Sequence, residues 1–164
     1  MAFWSEKRML PVGSHAPEFR LPDLGGVERT LAGILANGPA LVAFFKVSCP
    51  VCQYTFPFLE RLHQGAKPGA IQMIAVSQDQ AGATEQFCRE YGVTFTTLLD
   101  DPARYAVSNA FSIANVPSLF VIEADGTVSA SETGFSKRIL ETAAARAGVA
   151  AFRPDEKVPE NRPG

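Results

Sequence analysis

Basic residues are scarce for a nucleic-acid binder: 15 Lys and Arg are outnumbered by 17 Asp and Glu, for a formal net charge of −2. That balance leaves no electrostatic footprint for nucleic acid or an anionic membrane, and neither is expected as a partner. Long apolar runs are also missing. No stretch approaches the roughly 18 residues of a membrane helix. The opening "MAFWSEKRMLPVGSHAPEF" lacks the apolar segment and small-residue cleavage site of a secretory signal. These absences lead us to expect a cytoplasmic protein, or a periplasmic one if a leader or anchor has been removed. Cysteine is sparse and odd in number, at three, which does not suit a secreted disulfide scaffold. With two histidines in all, a zinc site is short of ligands. His15, His63 and Cys88 are scattered without metal-ligand spacing, so neither metal nor cofactor is expected. The single tryptophan, Trp4, receives no role.

What is present fits one globular domain. A chain of 164 residues can bury its own core. No internal repeat or low-complexity block interrupts it. "DLGG" suits a tight turn between two short strands near the start. "PALVAFFKV" reads as a buried central strand and "PVCQYTFPFLERLHQ" as a helix, with Phe56, Leu59 and Leu62 at helical spacing. "IQMIAVS", "ATEQFCREYG", "TFTTLLD" and "PARYAVSNAFS" continue as strand, helix, strand, helix. "PSLFVIE" and "TVSASET" form a hairpin around "ADG". "SKRILETAAARAG" closes as a helix capped by Ser136 and stopped by Gly148. The order describes an α/β fold with a largely parallel sheet covered on both faces. Its core is expected over about residues 12–148, with 152–164, rich in proline and charge, trailing loosely over the surface.

Such a sheet places its chemistry at the C-terminal ends of strands, and "SCPVC" lies at one of them. A thiol attacks a disulfide as thiolate, which a helix N-terminus favours through free amides and peptide dipoles. Cys49 falls where the helix begins, with Pro50 at its first position, as proline prefers. Cys49 is therefore the expected exposed nucleophile. Cys52, one turn further in, is the expected resolving thiol that releases a mixed disulfide. Half a zinc site and two inert core cysteines are the competing readings, disfavoured by the missing second ligand pair and by the strand-to-helix position.

With these residues in place, the sequence resembles the thioredoxin-fold redoxins, and within them the TlpA-like thiol–disulfide oxidoreductases and the related alkyl-hydroperoxide-reductase-like group. "VGSHAPEFRLPDLGG" is similar to that group's opening hairpin and "LVAFFKVSCPVC" to its strand into the active site. Pro57 matches the kink proline of the active-site helix, and "NVPSLFVI" matches the loop with the family's cis-proline, here Pro117. Gly126 and Gly134 match glycines around the final strand, and "VSQDQAGATEQFCREYGVTFTTLLD" resembles the helix–strand insertion of the TlpA and peroxiredoxin branches. The resemblance runs from about Val12 to Gly148. It implies a thioredoxin-like fold with a mixed central sheet, and a dithiol/disulfide pair, Cys49–Cys52, that exchanges with a protein thiol, disulfide or reductase. It also implies a supporting shell of Pro50, Val51, Ser48, Lys46, Val116 and Pro117. A cis Val116–Pro117 bond would leave the Val116 backbone free to pair with an extended partner segment. A trans proline opening a strand is the plainer alternative.

The sequence also departs from the pattern. Ser48 stands where thioredoxin has tryptophan, Ala43 where it has its buried aspartate, and Thr55 where some TlpA-like reductases carry glutamate. The usual proton acceptors for Cys52 are thus absent, leaving water or an acid such as Glu85. Lys46 lies near enough in sequence to act on a thiol, although a lysine at a strand end is more often simply solvated. A peroxidase needs Ser or Thr three residues before its reactive cysteine, and Lys46 stands there. Cys88 as a distant resolving thiol is set against core packing, which its helical spacing with Tyr91 favours. A non-enzymatic redox-sensing module is a further alternative. His15 and His63 are expected at the surface.

Overall fold

The structure, a computed structural model, describes residues 9–164; Trp4 lies outside them. Strands β1 (Arg20–Pro22) and β2 (Glu28–Thr30) pair antiparallel. Their turn is closed by the Asp23 carboxylate, whose Oδ1 accepts from the N–H groups of Gly25 and Val27, both at 2.9 Å. A short helix α1 (Leu31–Leu35) follows, its N-cap Thr30 accepting from the Gly33 N–H.

The apolar run expected to be a central strand is β3 (Ala40–Phe45), and all six of its residues are buried. It pairs in parallel with β4 (Gln72–Ser77), which pairs in parallel with β5 (Thr96–Leu99). On the other side β3 pairs antiparallel with β6 (Ser118–Ile122), and β6 with β7 (Val128–Thr133). The five-stranded sheet is thus mixed, in the order β5-β4-β3-β6-β7.

Side chains alternate across a strand, so β3 feeds two cores. Leu41, Ala43 and Phe45 face helices α2 (Pro50–Gly65) and α5 (Lys137–Ala147), in a cluster with Phe56, Leu59 and Leu140. Val42 and Phe44 face the opposite cluster of Leu31, Phe111 and Phe120. Helix α3 (Ala81–Tyr91) ends at Gly92, whose left-handed φ of 68° lets the chain turn out of the helix. Helix α5 is capped by Ser136, whose Oγ accepts from the Ile139 N–H.

Two local expectations change. The helical reading of "PARYAVSNAFS" shrinks to α4 (Ala106–Ala110). Tyr105 takes a left-handed φ of 48°, and the buried Asp100 carboxylate accepts from the N–H groups of Val107 and Ser108, which fixes where the helix starts. Residues 152–164, expected to trail loosely, are packed instead. Phe152 packs edge-on against Phe58 and tilted against Phe135. Arg61 donates through both terminal nitrogens to the Glu156 carboxylate at 2.7 and 3.1 Å. The short strand β8 (Phe135–Ser136) pairs with β9 (Asn161–Arg162). Of the charge that suggested a solvated segment, Glu156 is held by Arg61, 95 positions away in sequence. No helix among the described residues is long and apolar enough to cross a membrane.

Candidate active site

Between the end of β3 and the start of α2, the chain turns through Lys46, Val47 and Ser48 into Cys49. The Cys49 N–H donates back to the Lys46 carbonyl at 3.2 Å. Val47 is held on both sides. Its N–H donates to Asp79 Oδ2 at 2.8 Å, and its carbonyl accepts from Gln53 Nε2 at 2.9 Å. Asp79, just past β4, is itself placed by its N–H donating to Ser77 Oγ. The turn that presents Cys49 is therefore clamped from a neighbouring strand and from the helix it begins.

Cys49 is the N-cap of α2, with Pro50 in the first turn, and its Sγ accepts from the Cys52 N–H at 3.2 Å. The thiol also donates to the Val116 carbonyl at 3.5 Å. The Val116–Pro117 bond is cis. Cys49 is half-buried, whereas Cys52 is 0 % exposed beneath it. Burial pushes the Cys52 thiol well above the ordinary cysteine range. Its hydrogen bond and electrostatic interaction with Cys49 and the negative charge of Asp79 add to that rise, while the Lys46 N–H opposes it. The two sulfurs share one helical turn yet differ in access, and burial holds back ionisation of Cys52. Both are free thiols. A cleft of about 420 Å³ opens beside Cys49, lined among others by Lys46, Gln78, Tyr105, Val116 and Gly164.

The sequence model of the Redoxin family matches residues 11–148. The chain belongs to the redoxin family. A relative, the thiol-disulfide oxidoreductase ResA of Geobacillus kaustophilus (strain HTA426), is 30 % identical over 133 residues, which cover 80 % of this chain and 75 % of that protein. Two solved structures are similar in fold. The thioredoxin domain of a thiol-disulfide oxidoreductase from Bacteroides vulgatus has a TM-score of 0.75 at 21 % identity, covering 84 % of this chain and 99 % of that one. A thiol:disulfide interchange protein DsbE from Chlorobium tepidum has a TM-score of 0.72 at 24 % identity, covering 84 % and 95 %. The fold is thioredoxin-like, with the mixed sheet and opening hairpin described above.

In this redoxin the residues singled out from sequence are brought together unequally. Cys49, Cys52, Val116 and Pro117 meet at one edge, with Pro50 and Ser48 exposed around them and Val51 buried in the first turn of α2. The Lys46 ammonium lies 5.4 Å from the centre of the Tyr105 ring, in the cleft that Cys49 also lines. Glu85 is exposed on α3, where its charge acts on Cys88. Thr55 spends its hydroxyl on the Val51 carbonyl at 2.7 Å. The acid whose charge acts on Cys52 is Asp79, which sequence reasoning passed over. The available signal was its place in "IAVSQD", at the C-terminal end of the strand beside β3, where neighbouring parallel strands converge on one edge. Cys88 packs against the α2-side core with its sulfur 3.8 Å from Thr97 Oγ1. His15 lies against Gly126, and His63 sets its ring on Phe95.

Proposed function

We propose that this redoxin is a thiol–disulfide oxidoreductase acting on protein partners, with Cys49 as the attacking sulfur and Cys52 as the resolving one. The observation that carries the reading is the asymmetry of the pair. One sulfur is reachable at a helix start and faced by an N–H donor; the other is fully buried one turn below it, with a raised pKa. In the reducing direction the Cys49 thiolate attacks one sulfur of a partner disulfide, forms the mixed disulfide and expels the second partner sulfur as thiolate, which takes a proton. Cys52 then loses its proton and attacks Cys49 Sγ. The Cys49–Cys52 bond forms, the mixed bond breaks, and the partner leaves as a dithiol with two electrons gained. The oxidised pair runs the same steps backwards, and its reduction potential sets the direction. The names of the relatives support this reading.

Val116 supports a docking side. Its backbone lies against Cys49, where an extended partner segment can pair with it as an added strand. A peroxidase reading finds no support at position 46, where the side chain is a lysine turned onto Tyr105. Insulin reduction driven by dithiothreitol tests the proposal. Wild-type protein accelerates it, and Cys49→Ser abolishes the acceleration. An unaccelerated wild-type reaction, or a fully active Cys49→Ser variant, contradicts it.

A further inference from the structure

The cleft beside Cys49 contains a part of the protein that the redox chemistry does not require. Residues 161–164 run along β8 and end their course at the Val116–Pro117 loop. Asn161 and Arg162 pair with Ser136 and Phe135, and the Lys137 N–H donates to the Glu160 carbonyl at 2.9 Å. The Arg162 guanidinium lies 5.1 Å from the centre of the Tyr54 ring, two residues past Cys52 on α2. Gly164 then lines the same cleft as Cys49.

Two glycines show that this course is built for close approach. Gly134 has a left-handed φ of 75°, and its N–H donates to the Pro117 carbonyl at 2.7 Å. A Cβ on Gly134 would overlap the Arg162 carbonyl. A Cβ on Gly164 would overlap the Val116 carbonyl, the same oxygen that accepts from Cys49, and would press on the Pro117 ring. Side chains at either position would force the segment off the loop.

We propose that Asn161–Gly164 is a displaceable strap. It occupies the place beside Val116 that an extended, cysteine-bearing partner segment needs, so a protein partner must lift it while a small thiol reagent need not. The inference rests on the reading of the Cys49–Val116 edge as the docking side. Little resists the lifting: past its anchor at Glu160, which Lys137 holds, the strap adds a two-residue strand and one guanidinium–ring contact, and all of its residues are exposed. A competitor of this kind lowers apparent partner affinity by the fraction of time the site is uncovered, so a strap lifted about a tenth of the time weakens binding about tenfold.

The test uses two variants in a Cys88→Ser background, Gly164→Val and removal of residues 159–164. Cys49 is alkylated in each with N-ethylmaleimide and with a maleimide carrying a long polyethylene glycol chain. Both variants should react faster than the parent with the bulky reagent, by about threefold or more for a strap that covers the site most of the time, and equally with the small one. A synthetic peptide of residues 158–164, added to the shortened protein, should restore the slow bulky reaction. Unchanged bulky alkylation in both variants overturns the strap. So does a peptide that slows both reagents alike. This readout needs no electron transfer, so it stands apart from insulin reduction, whose absence in every form would overturn the proposed activity instead.

Discussion

Cys49 and Cys52 are three residues apart and differ in exposure and hydrogen bonding. The buried sulfur of Cys52 is kept protonated by its surroundings, chiefly by desolvation. Below its pKa, the thiolate fraction of such a group rises about tenfold per pH unit. Release of a mixed disulfide from Cys49 should therefore accelerate by that factor across neutral and mildly alkaline pH, as stopped-flow measurement would show. A stability effect accompanies the kinetic one. The folded pKa lies above the ordinary 9.0, so the folded state holds the proton more tightly than the unfolded chain. The resulting stabilisation is complete below pH 9 and is lost as pH rises past it. Reduced protein should lose stability relative to oxidised protein above that pH, by up to about 1.4 kcal/mol per unit. Urea unfolding of Cys49→Ser against Cys49→Ser/Cys52→Ser protein isolates the Cys52 contribution, because every other titrating group is common to both.

At the scale of elements, the site is a junction of β3, β4, α2 and the loop before β6, and Asp79 is the tie across it. Asp79→Ala removes the acceptor of the Val47 N–H, at a cost of about 1 kcal/mol, and should slow transfer by loosening the turn that presents Cys49. Asp79→Asn keeps an acceptor while removing a charge that adds, after desolvation and the contact with Cys49, a smaller part of the rise in the Cys52 pKa. It should leave stability near wild type and move the pH profile of mixed-disulfide release to lower pH. Matching losses in the two variants would leave the carboxylate charge without a role. These elements were largely legible before the structure. The strands over 40–45, 72–77 and 118–122 and the helix capped by Ser136 and stopped at Gly148 announce themselves through apolar runs and punctuation. The Val47 clamp did not, because it joins residues 32 apart in sequence through a side-chain contact that no local pattern encodes. The truncated α4 escaped for a related reason: its start is set by Asp100 and by the left-handed Tyr105, not by composition.

At the scale of the whole molecule, residues 152–164 fold back onto α2, α5 and β8 instead of trailing away. Their proline and charge hid this, since composition reports polarity and not the partner. Glu156 is the clearest anchor. Its hydrogen bonds from Arg61, then from the Arg153 N–H, hold its carboxyl down to about 2. The contribution is fully present above the ordinary value of 4.5 and is lost as pH falls from there toward about 2. Hydrogen exchange of residues 152–164 should therefore quicken through that interval, before the central sheet opens, and Glu156→Gln should show the quickened exchange at neutral pH. Equal protection at both pH extremes would contradict the anchoring.

The account as a whole turns on which sulfur meets the partner. Mass spectrometry of Cys52→Ser protein mixed with a disulfide-linked peptide measures this directly. A lasting peptide adduct on Cys49, absent from Cys49→Ser protein under the same conditions, is the predicted result. An adduct carried by Cys52 in the Cys49→Ser variant, or none in either, would contradict it.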